Sequence, residues 1–328
     1  MSLIDEINSK LMLPVIGAPL FIIGNPDLVV AQCTSGVIGS FPALNARPKG
    51  ELYLWLQKIE TELKSYKKNN PNARVAPYAV NQIIHKSNRR LDHDVEACVK
   101  FKVPIVITSL SEPSDVVTSV HDYGGHVFHD VISIRHAEKA LEAGVDGLIL
   151  VAAGAGGHAG ILSPFAIIRE VRHFFSGPIA LSGAITDGAG ILASQAMGAD
   201  FAYMGTRFIA TDEAKAAEKY KKMIIDSQAK DILYTPFFTG VHGNYLRKSI
   251  SAAGLNVEDV LGGDKTLMDF GEKRERLKTW KDIWGAGQGV GNISTILSTK
   301  QLVKNLAQEY RIANESLSGH GFHDLGAL

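Results

Sequence analysis

Cysteine and long apolar runs are scarce in this sequence, and each absence excludes a class of protein. Cys33 and Cys98 are the two cysteines among 328 residues, and no Cys-x-x-Cys pair occurs, so we expect neither a disulfide framework nor a zinc knuckle. Two thiols in apolar segments are typical of a protein of the reducing cytoplasm. No run of about 18 apolar residues exists, and no basic segment precedes an apolar one near residue 1, so we expect no membrane span and no signal peptide.

An excess of either charge is also absent. Lys and Arg together number 34, Asp and Glu together number 34, and the formal net charge is zero. No overall field therefore attracts nucleic acid or an anionic membrane, and we expect neither as a partner. Hydrophobic residues make up 45% of the chain, which is ordinary for a globular protein with a sizeable core.

Short apolar segments alternate with longer amphipathic ones through the first two-thirds of the chain. We interpret the short segments as eight strands, at residues 13–19, 36–41, 73–80, 103–110, 125–131, 145–152, 177–183 and 200–206. Strands that alternate with helices pair in parallel. Eight such units predict an α/β fold of the (β/α)₈ TIM-barrel type, although an open doubly wound sheet uses the same alternation.

The alternation stops after residue 211. Residues 212–281 are charged and helical in pattern, with an aromatic segment that contains Tyr234, Phe237, Phe238 and Tyr245. We predict a TIM-barrel domain formed by residues 1–211 and 282–328, with residues 212–281 as a small, mostly helical cap. The aromatic side chains would then form an apolar lid over a substrate.

Two loops near the end of the predicted barrel have the composition of a phosphate site. Ser182 and Gly183 end the seventh strand and lead through Ala184 into a helix that begins near Asp187, and Gly205 and Thr206 end the eighth strand. Barrels often bind phosphate between these two loops, where helix N–H groups and the helix dipole favour an anion. A tight turn that uses glycine for geometry alone is the alternative.

The segment "GAGGHAG", residues 154–160, follows the sixth strand. Its spacing fits a dinucleotide fingerprint, but the next strand carries no acidic residue at its end and Pro164 delays the next helix, so we do not expect a Rossmann site. His158 lies among these glycines at the predicted barrel mouth, where an imidazole can exchange a proton near pH 7. The alternative is a histidine that caps its own loop.

His126 and His129, with Asp130, are potential metal ligands by residue type. Alternation along a strand places the two histidines on opposite faces. We therefore expect no metal site.

Five segments in order resemble the nitronate monooxygenase family, formerly called 2-nitropropane dioxygenases, a family of FMN-dependent barrels related to enoyl reductases of the FabK type. The segments are "LPVIGAPLF" (13–21), "AGGHAG" (155–160), "LSGAITDGAG" (181–190), "MGADFAYMGTRFIAT" (197–211) and "WGAGQGVG" (284–291). The resemblance implies FMN at the barrel mouth. It also implies oxidation of alkyl nitronates, or of nitroalkanes, by O₂ to a carbonyl compound and nitrite.

The resemblance further assigns roles to individual residues. His158 matches the family's catalytic histidine, and the FMN phosphate would lie on the two loops that contain Ser182, Gly183, Ala184, Gly205 and Thr206. The remaining implied flavin contacts are Ala18, Pro19, Leu20, Asn81, Gly156, Gly157 and Gln288.

The chain also departs from its relatives. Asp130 stands where some relatives carry Lys, and Val151 where some carry Asp. The acid that the reductase relatives place before Gly-Gly-His is missing near Ala153 and Gly154, which argues against enoyl-thioester reduction. An NAD(P)H-dependent flavin reductase of a quinone or enoyl thioester remains the alternative enzyme. A sensor of a phosphorylated ligand is the alternative without catalysis. The sequence leaves open whether the protein is a monomer or a homodimer.

Overall fold

The structure, a computed structural model, describes residues 3–262 and 281–319. Eight parallel strands form one sheet, and each lies within or beside a predicted strand segment. They are β1 (Val15–Gly17), β2 (Gly39–Pro42), β3 (Tyr78–Ile84), β4 (Ile105–Leu110), β5 (His126–Val131), β6 (Gly147–Val151), β8 (Ile179–Ser182) and β9 (Phe201–Met204). A two-residue strand, β7 (Gly157–His158), lies outside this sheet.

The sheet closes on itself. Its strand order is β1-β9-β8-β6-β5-β4-β3-β2, and the two outer strands meet through a parallel bridge between Ile16 and Ile38. There the N–H of Gly17 donates to the carbonyl of Ile38 at 2.8 Å, and the N–H of Ile38 donates to the carbonyl of Val15 at 3.0 Å. A doubly wound sheet would leave these edges apart, so the predicted (β/α)₈ barrel is confirmed.

Helices follow the strands and cover the outside of the barrel. In chain order they are α1 (Leu3–Asn8), α2 (Pro26–Thr34), α3 (Glu51–Asn69), α4 (Leu91–Phe101), α5 (Ser114–His121), α6 (Ile134–Glu142), α7 (Pro164–Arg172), α8 (Gly188–Met197), α9 (Thr206–Ile209), α10 (Glu218–Ile225), α11 (Arg247–Ala252), α12 (Val257–Gly262) and α13 (Thr299–Gly319). Polar side chains begin several of them; for example, Asn25 and Ser133 accept hydrogen bonds from the first turns of α2 and α6, as helix N-caps do.

Alternate residues of each strand supply two separate cores. Ile16, Ile107 and Phe128 belong to the cluster inside the barrel, where Phe128 packs edge-on against Phe201 with ring centroids 6.4 Å apart. Their neighbours in sequence, such as Val106, face outward and pack beneath the helices. Because alternate residues face the two cores, both faces of each strand are buried and the strand is apolar along its whole length. This is why the strands could be predicted as short apolar segments of the sequence. Both cysteines are buried and free within the outer core.

The region after α9 contains a β-hairpin as well as helices. Strands β10 (Ile232–Thr235) and β11 (Gly243–Leu246) pair in antiparallel fashion, and β11 also pairs with β7 in the loop after β6. We expected this region to be mostly helical, but the aromatic segment is where the hairpin forms. Residues 263–280 of the expected cap lie outside the described residues, and the cap's boundaries stay a prediction.

The aromatic residues of this region do not form the expected lid. Phe237 and Tyr245 are buried in a cluster of their own with Leu233 and Ile250. Tyr234 stacks on His242 with ring centroids 5.1 Å apart. They stabilise the hairpin because each ring has an apolar or aromatic partner within it. Across the part of the chain that the structure describes, no helix has both the length and the apolar character to cross a membrane.

Candidate functional site

A cavity of about 550 Å³ opens at the carboxyl ends of the barrel strands, the end where barrels of this kind place their active sites. The ends of all eight barrel strands or the loops after them, together with the segment 285–289, form its walls. Twelve of the thirteen residues predicted for the site line it: Ala18, Pro19, Leu20, Asn81, Gly156, Gly157, His158, Ser182, Gly183, Ala184, Gly205 and Thr206.

Gln288 is the predicted residue that the cavity wall does not include. Its backbone N–H donates to the carbonyl of Gly154 at 2.9 Å, while its neighbours Gly287 and Gly289 line the cavity. Gln288 therefore holds the loop that carries His158 from outside. The segment predicted from the sequence thus lies at the cavity, and the flavin contact implied for Gln288 stays a prediction.

His158 is held in place by the hairpin. It pairs with Gly243 of β11, and Asn244 of β11 donates through Nδ2 to the carbonyl of Ala155 at 2.6 Å. On the other side of His158, the hydroxyl of Tyr234 donates to the carbonyl of Ala159 at 2.9 Å. The glycine-rich loop is thus one edge of a small antiparallel sheet, which fixes its direction.

The state of the His158 imidazole follows from its surroundings. Nε2 lies 2.9 Å from Oγ1 of Thr239, and that hydroxyl donates to the carbonyl of Val241 at 3.0 Å. Thr239 thus fixes the orientation of the ring through Nε2. Desolvation lowers the pKa of His158 from its ordinary value of 6.5, so at neutral pH the ring is a neutral base.

The glycines of two loops allow backbone to pack on backbone. A Cβ added to Gly156 would lie 2.8 Å from the backbone nitrogen of Gly287, and one added to Gly287 would lie 2.7 Å from the carbonyl oxygen of Gly154. No side chain fits between the two loops. This contact explains glycine at 156 and 287 without reference to any ligand.

Carboxylates already hold two N–H groups in the first turn of helix α8. The carboxylate of Asp187 accepts from the N–H of Gly190 at 2.7 Å, and Glu309 of α13 accepts from the N–H of Gly188 at 2.9 Å. These two groups are not available to an anion, and a phosphate contact of this helix terminus stays a prediction.

The donors available to an anion lie on the loops themselves. The backbone N–H groups of Gly183, Ala184 and Gly205 have no hydrogen-bond acceptor among residues 3–262 and 281–319. The hydroxyl of Ser182 lines the same wall, and Thr206 Oγ1 accepts from the N–H of Gly287 at 2.8 Å, which leaves the threonine's own proton to donate. Gly183 and Ala184 adopt φ values of 142° and 56°. Such consecutive N–H groups form an anion-binding concavity.

A hydrogen-bonded chain at the strand ends joins the predicted Asn81 to Ser109 and Asp130, two residues to which the sequence analysis assigned no role in the site. Asn81 donates through Nδ2 to Oγ of Ser109 at 2.8 Å, and Ser109 donates to Oδ2 of Asp130 at 2.5 Å. All three residues line the cavity, as does Tyr203. Burial raises the pKa of Asp130 to about 6. The signal was present, since each side chain ends a predicted strand, but the inward direction of all three was not derivable without the register.

Metal chemistry has no ligand set in the described ranges, where no three His, Cys, Asp or Glu side chains are grouped to hold an ion. His129 instead turns outward and pairs through Nδ1 with Oγ1 of Thr108 at 2.8 Å.

Comparison with known families decides the relationship of the chain. The model of the nitronate monooxygenase family matches residues 38–309. The chain belongs to the nitronate monooxygenase family. Among sequence relatives, nitronate monooxygenase of Paraburkholderia phytofirmans is 29% identical over 163 residues, which are 47% of this chain and 44% of that protein. Probable nitronate monooxygenase of Staphylococcus haemolyticus is 26% identical over 178 residues, 51% of this chain and 47% of that one. Each match thus spans less than half of the relative's length.

Solved structures show the same fold over nearly the whole chain. FabK from Thermotoga maritima superimposes with a TM-score of 0.78 at 24% identity, covering 97% of this chain and 99% of that one. Nitroalkane oxidase from Streptomyces ansochromogenes gives a TM-score of 0.73 at 20% identity, with coverage of 94% and 99%. At these identities the likeness concerns the barrel and not the reaction.

Flavin, the cofactor of the nitronate monooxygenase family, fits the chemistry of this cavity. Unsatisfied N–H groups and hydroxyls at 182–184 and 205–206 match a phosphate, and the small apolar Ala18 and Pro19 on the wall match a flat ring. The carbonyl oxygen of Asn81, whose amide nitrogen is already committed to Ser109 and Ile107, is left to accept from a ring N–H.

Proposed function

We propose that this protein is an FMN-dependent enzyme that oxidises alkyl nitronates, and nitroalkanes after deprotonation, with O₂ to a carbonyl compound and nitrite. The observation that carries the proposal is the position of His158, a neutral base on the wall of the cavity whose other loops carry the anion-binding N–H groups. Family membership supports the reaction class.

The chain's own residues would bind and orient the reactants. FMN, when bound, supplies the electron acceptor for the nitronate and the route of electrons to O₂. The loops at 182–184 and 205–206 would hold its phosphate, and Asn81 would fix the ring. His158 would remove the acidic C–H proton of a nitroalkane, or orient a nitronate that is already deprotonated.

The test has two parts, of which anaerobic mixing is the first. We expect purified protein to be yellow, its flavin to be FMN, and an alkyl nitronate to bleach the flavin absorbance without O₂ while NADPH does not. Bleaching by NADPH alone would instead make the protein a reductase. Colourless protein that takes up no flavin would contradict catalysis altogether.

The second part is His158→Asn. General-base catalysis contributes about 10²–10⁴-fold, so we expect a loss of that order in kcat/KM for neutral nitroalkanes and a much smaller loss for nitronates, with FMN retained. His173→Asn is the matched control, because His173 is exposed at the end of α7 and does not line the cavity. Equal losses on both substrates would remove His158 from proton transfer.

A further inference from the structure

An apolar rim surrounds the mouth of the cavity. Phe21, Leu110, Ile132 and Val241 all line the cavity, yet they are 36%, 53%, 41% and 45% exposed. They come from four separate places: the loop after β1, the end of β4, the loop after β5 and the turn of the hairpin. Isolated exposed apolar residues need no explanation, but a group that converges on one cavity marks a surface for binding.

Two residues of this rim region are held in a costly backbone conformation. Within residues 3–262 and 281–319, four residues other than glycine have positive φ. Lys102 caps α4 and Ala184 belongs to the anion-binding loop. The other two are exposed aliphatic residues: Leu110, at 80°, lines the cavity, and Ile22, at 60°, is next in sequence to Phe21 of the rim. A β-branched or bulky residue rarely adopts such an angle.

Core packing does not account for this strain. Ile22 is 39% exposed and Leu110 is 53% exposed, so neither gains the burial that would offset the cost. The N–H of Ile22 donates to Oδ1 of Asn45 at 2.8 Å, and this bond holds the loop in the strained form. Strain that the surroundings maintain is concentrated at sites of function. At Leu110 its effect is to present an aliphatic side chain at the opening, and at Ile22 it shapes the loop that carries Phe21.

Polar groups line the same cavity at the strand ends and on the wall. Asn81, Ser109 and Asp130 lie at the strand ends, and His158 lies on the wall. A ligand that matches both the rim and the polar groups has one polar end and an apolar chain. We propose that the substrate is a medium-chain alkyl compound whose chain lies along the rim formed by Phe21, Leu110, Ile132 and Val241. That the polar end is a nitro or nitronate group rests on the proposed function.

A homologous series of nitronates measures the contribution of the rim. Each methylene that the rim removes from water is expected to raise kcat/KM by up to about fourfold. The kcat/KM should therefore increase along the nitronates of nitroethane, nitrobutane, nitrohexane and nitrooctane. Leu110→Asn then removes the apolar side chain while keeping a residue that tolerates positive φ. We expect the ratio of kcat/KM for nitrooctane to that for nitroethane to fall about tenfold.

Leu54→Asn is the matched control, because Leu54 is 58% exposed on α3 and does not line the cavity. It should keep the ratio of the unaltered protein. A flat series in the unaltered protein, or the same ratio in Leu110→Asn, would overturn the proposal.

Calorimetric binding of primary alcohols to the flavin-loaded protein separates this proposal from the function itself. Octanol should bind more tightly than butanol, and Leu110→Asn should abolish the difference. If that holds while no nitronate is oxidised, the rim proposal stands and the proposed reaction fails. If nitronates are oxidised but neither series depends on chain length, the rim proposal fails alone.

Discussion

Asp130 sets the charge at the strand ends of the cavity. Its carboxyl accepts from Ser109, and burial raises its pKa to about 6, so it is largely ionised above neutral pH. A nitronate is also an anion, and two like charges in a desolvated cavity repel each other. The Asp130 carboxylate is therefore expected to oppose the binding of a nitronate in this cavity.

Asp130→Asn tests that role through pH. In the folded protein the pKa is above its ordinary value of 3.8, so the unfolded chain ionises first and the native state loses stability as pH rises from about 4 to about 6. The Asn variant avoids this loss, so its melting temperature should exceed that of the unaltered protein at pH 8, and by a much smaller margin at pH 4.

In the unaltered protein, kcat/KM for a nitronate should decline as pH rises through 6, because Asp130 becomes ionised. At pH 8 the Asn variant should have a several-fold higher kcat/KM than the unaltered protein, and its kcat/KM should not decline through pH 6. Thermal melts and a pH–rate profile measure both effects. Asp122→Asn, at an exposed position after α5, should change neither. If kcat/KM of Asp130→Asn still declines through pH 6, a titratable group other than Asp130 causes the decline.

At the scale of elements, the contact between the loop at 154–157 and the segment 285–289 determines where His158 lies. The two backbones touch, and the N–H of Gln288 donates to the carbonyl of Gly154 at 2.9 Å. Any atom inserted between them must push one loop away. The hairpin then fixes the other side of the His158 loop through Asn244 and Tyr234.

Gly287→Ala is the change that tests this contact. Its Cβ would lie 2.7 Å from the carbonyl oxygen of Gly154, and overpacking of this kind costs about 1–3 kcal/mol. We expect a lower melting temperature and a lower flavin content. Gly50→Ala is a close control, since Gly50 has φ of −82° against −83° for Gly287 and an added Cβ would meet nothing within 4 Å. Equal effects of the two substitutions would contradict the packing argument.

The elements also show how far the sequence could predict the structure. The strands were predictable because apolar segments bounded by helix caps recur eight times, and the mouth residues followed from where those strands end. Strand β7 could not be predicted, because its two residues form a strand only through pairing with Gly243 and Asn244, which lie far along the chain. The capping of α8 by Glu309, from a helix over a hundred residues away, carries no local signal either.

On the scale of the whole molecule, flavin binding joins loops from both ends of the chain. The cavity wall runs from Ala18 to Gly289, so a bound flavin would stabilise the barrel as a unit and raise its melting temperature with ligand concentration. The loops at 182–184 and 205–206 would determine how much of that stabilisation comes from the phosphate.

Titration of flavin-free protein with FMN and with riboflavin measures the phosphate contribution. Hydrogen bonds to a charged group are worth about 1.5–3 kcal/mol each. Riboflavin should therefore need about a hundredfold higher concentration for the same rise in melting temperature. Ser182→Ala should narrow the difference by removing one hydroxyl donor. Equal stabilisation by the two flavins would mean that the phosphate lies elsewhere.

The contact between Gly156 and Gly287 has a consequence for the order in which the protein is made. A ribosome that has completed the strands through β9 has produced every barrel strand and His158, but not the hairpin or the segment 285–289 that hold the histidine's loop. The wall around His158 is therefore completed by residues that are synthesised after all the barrel strands. On a nascent chain, the barrel strands are complete before the wall of the cavity around His158 is.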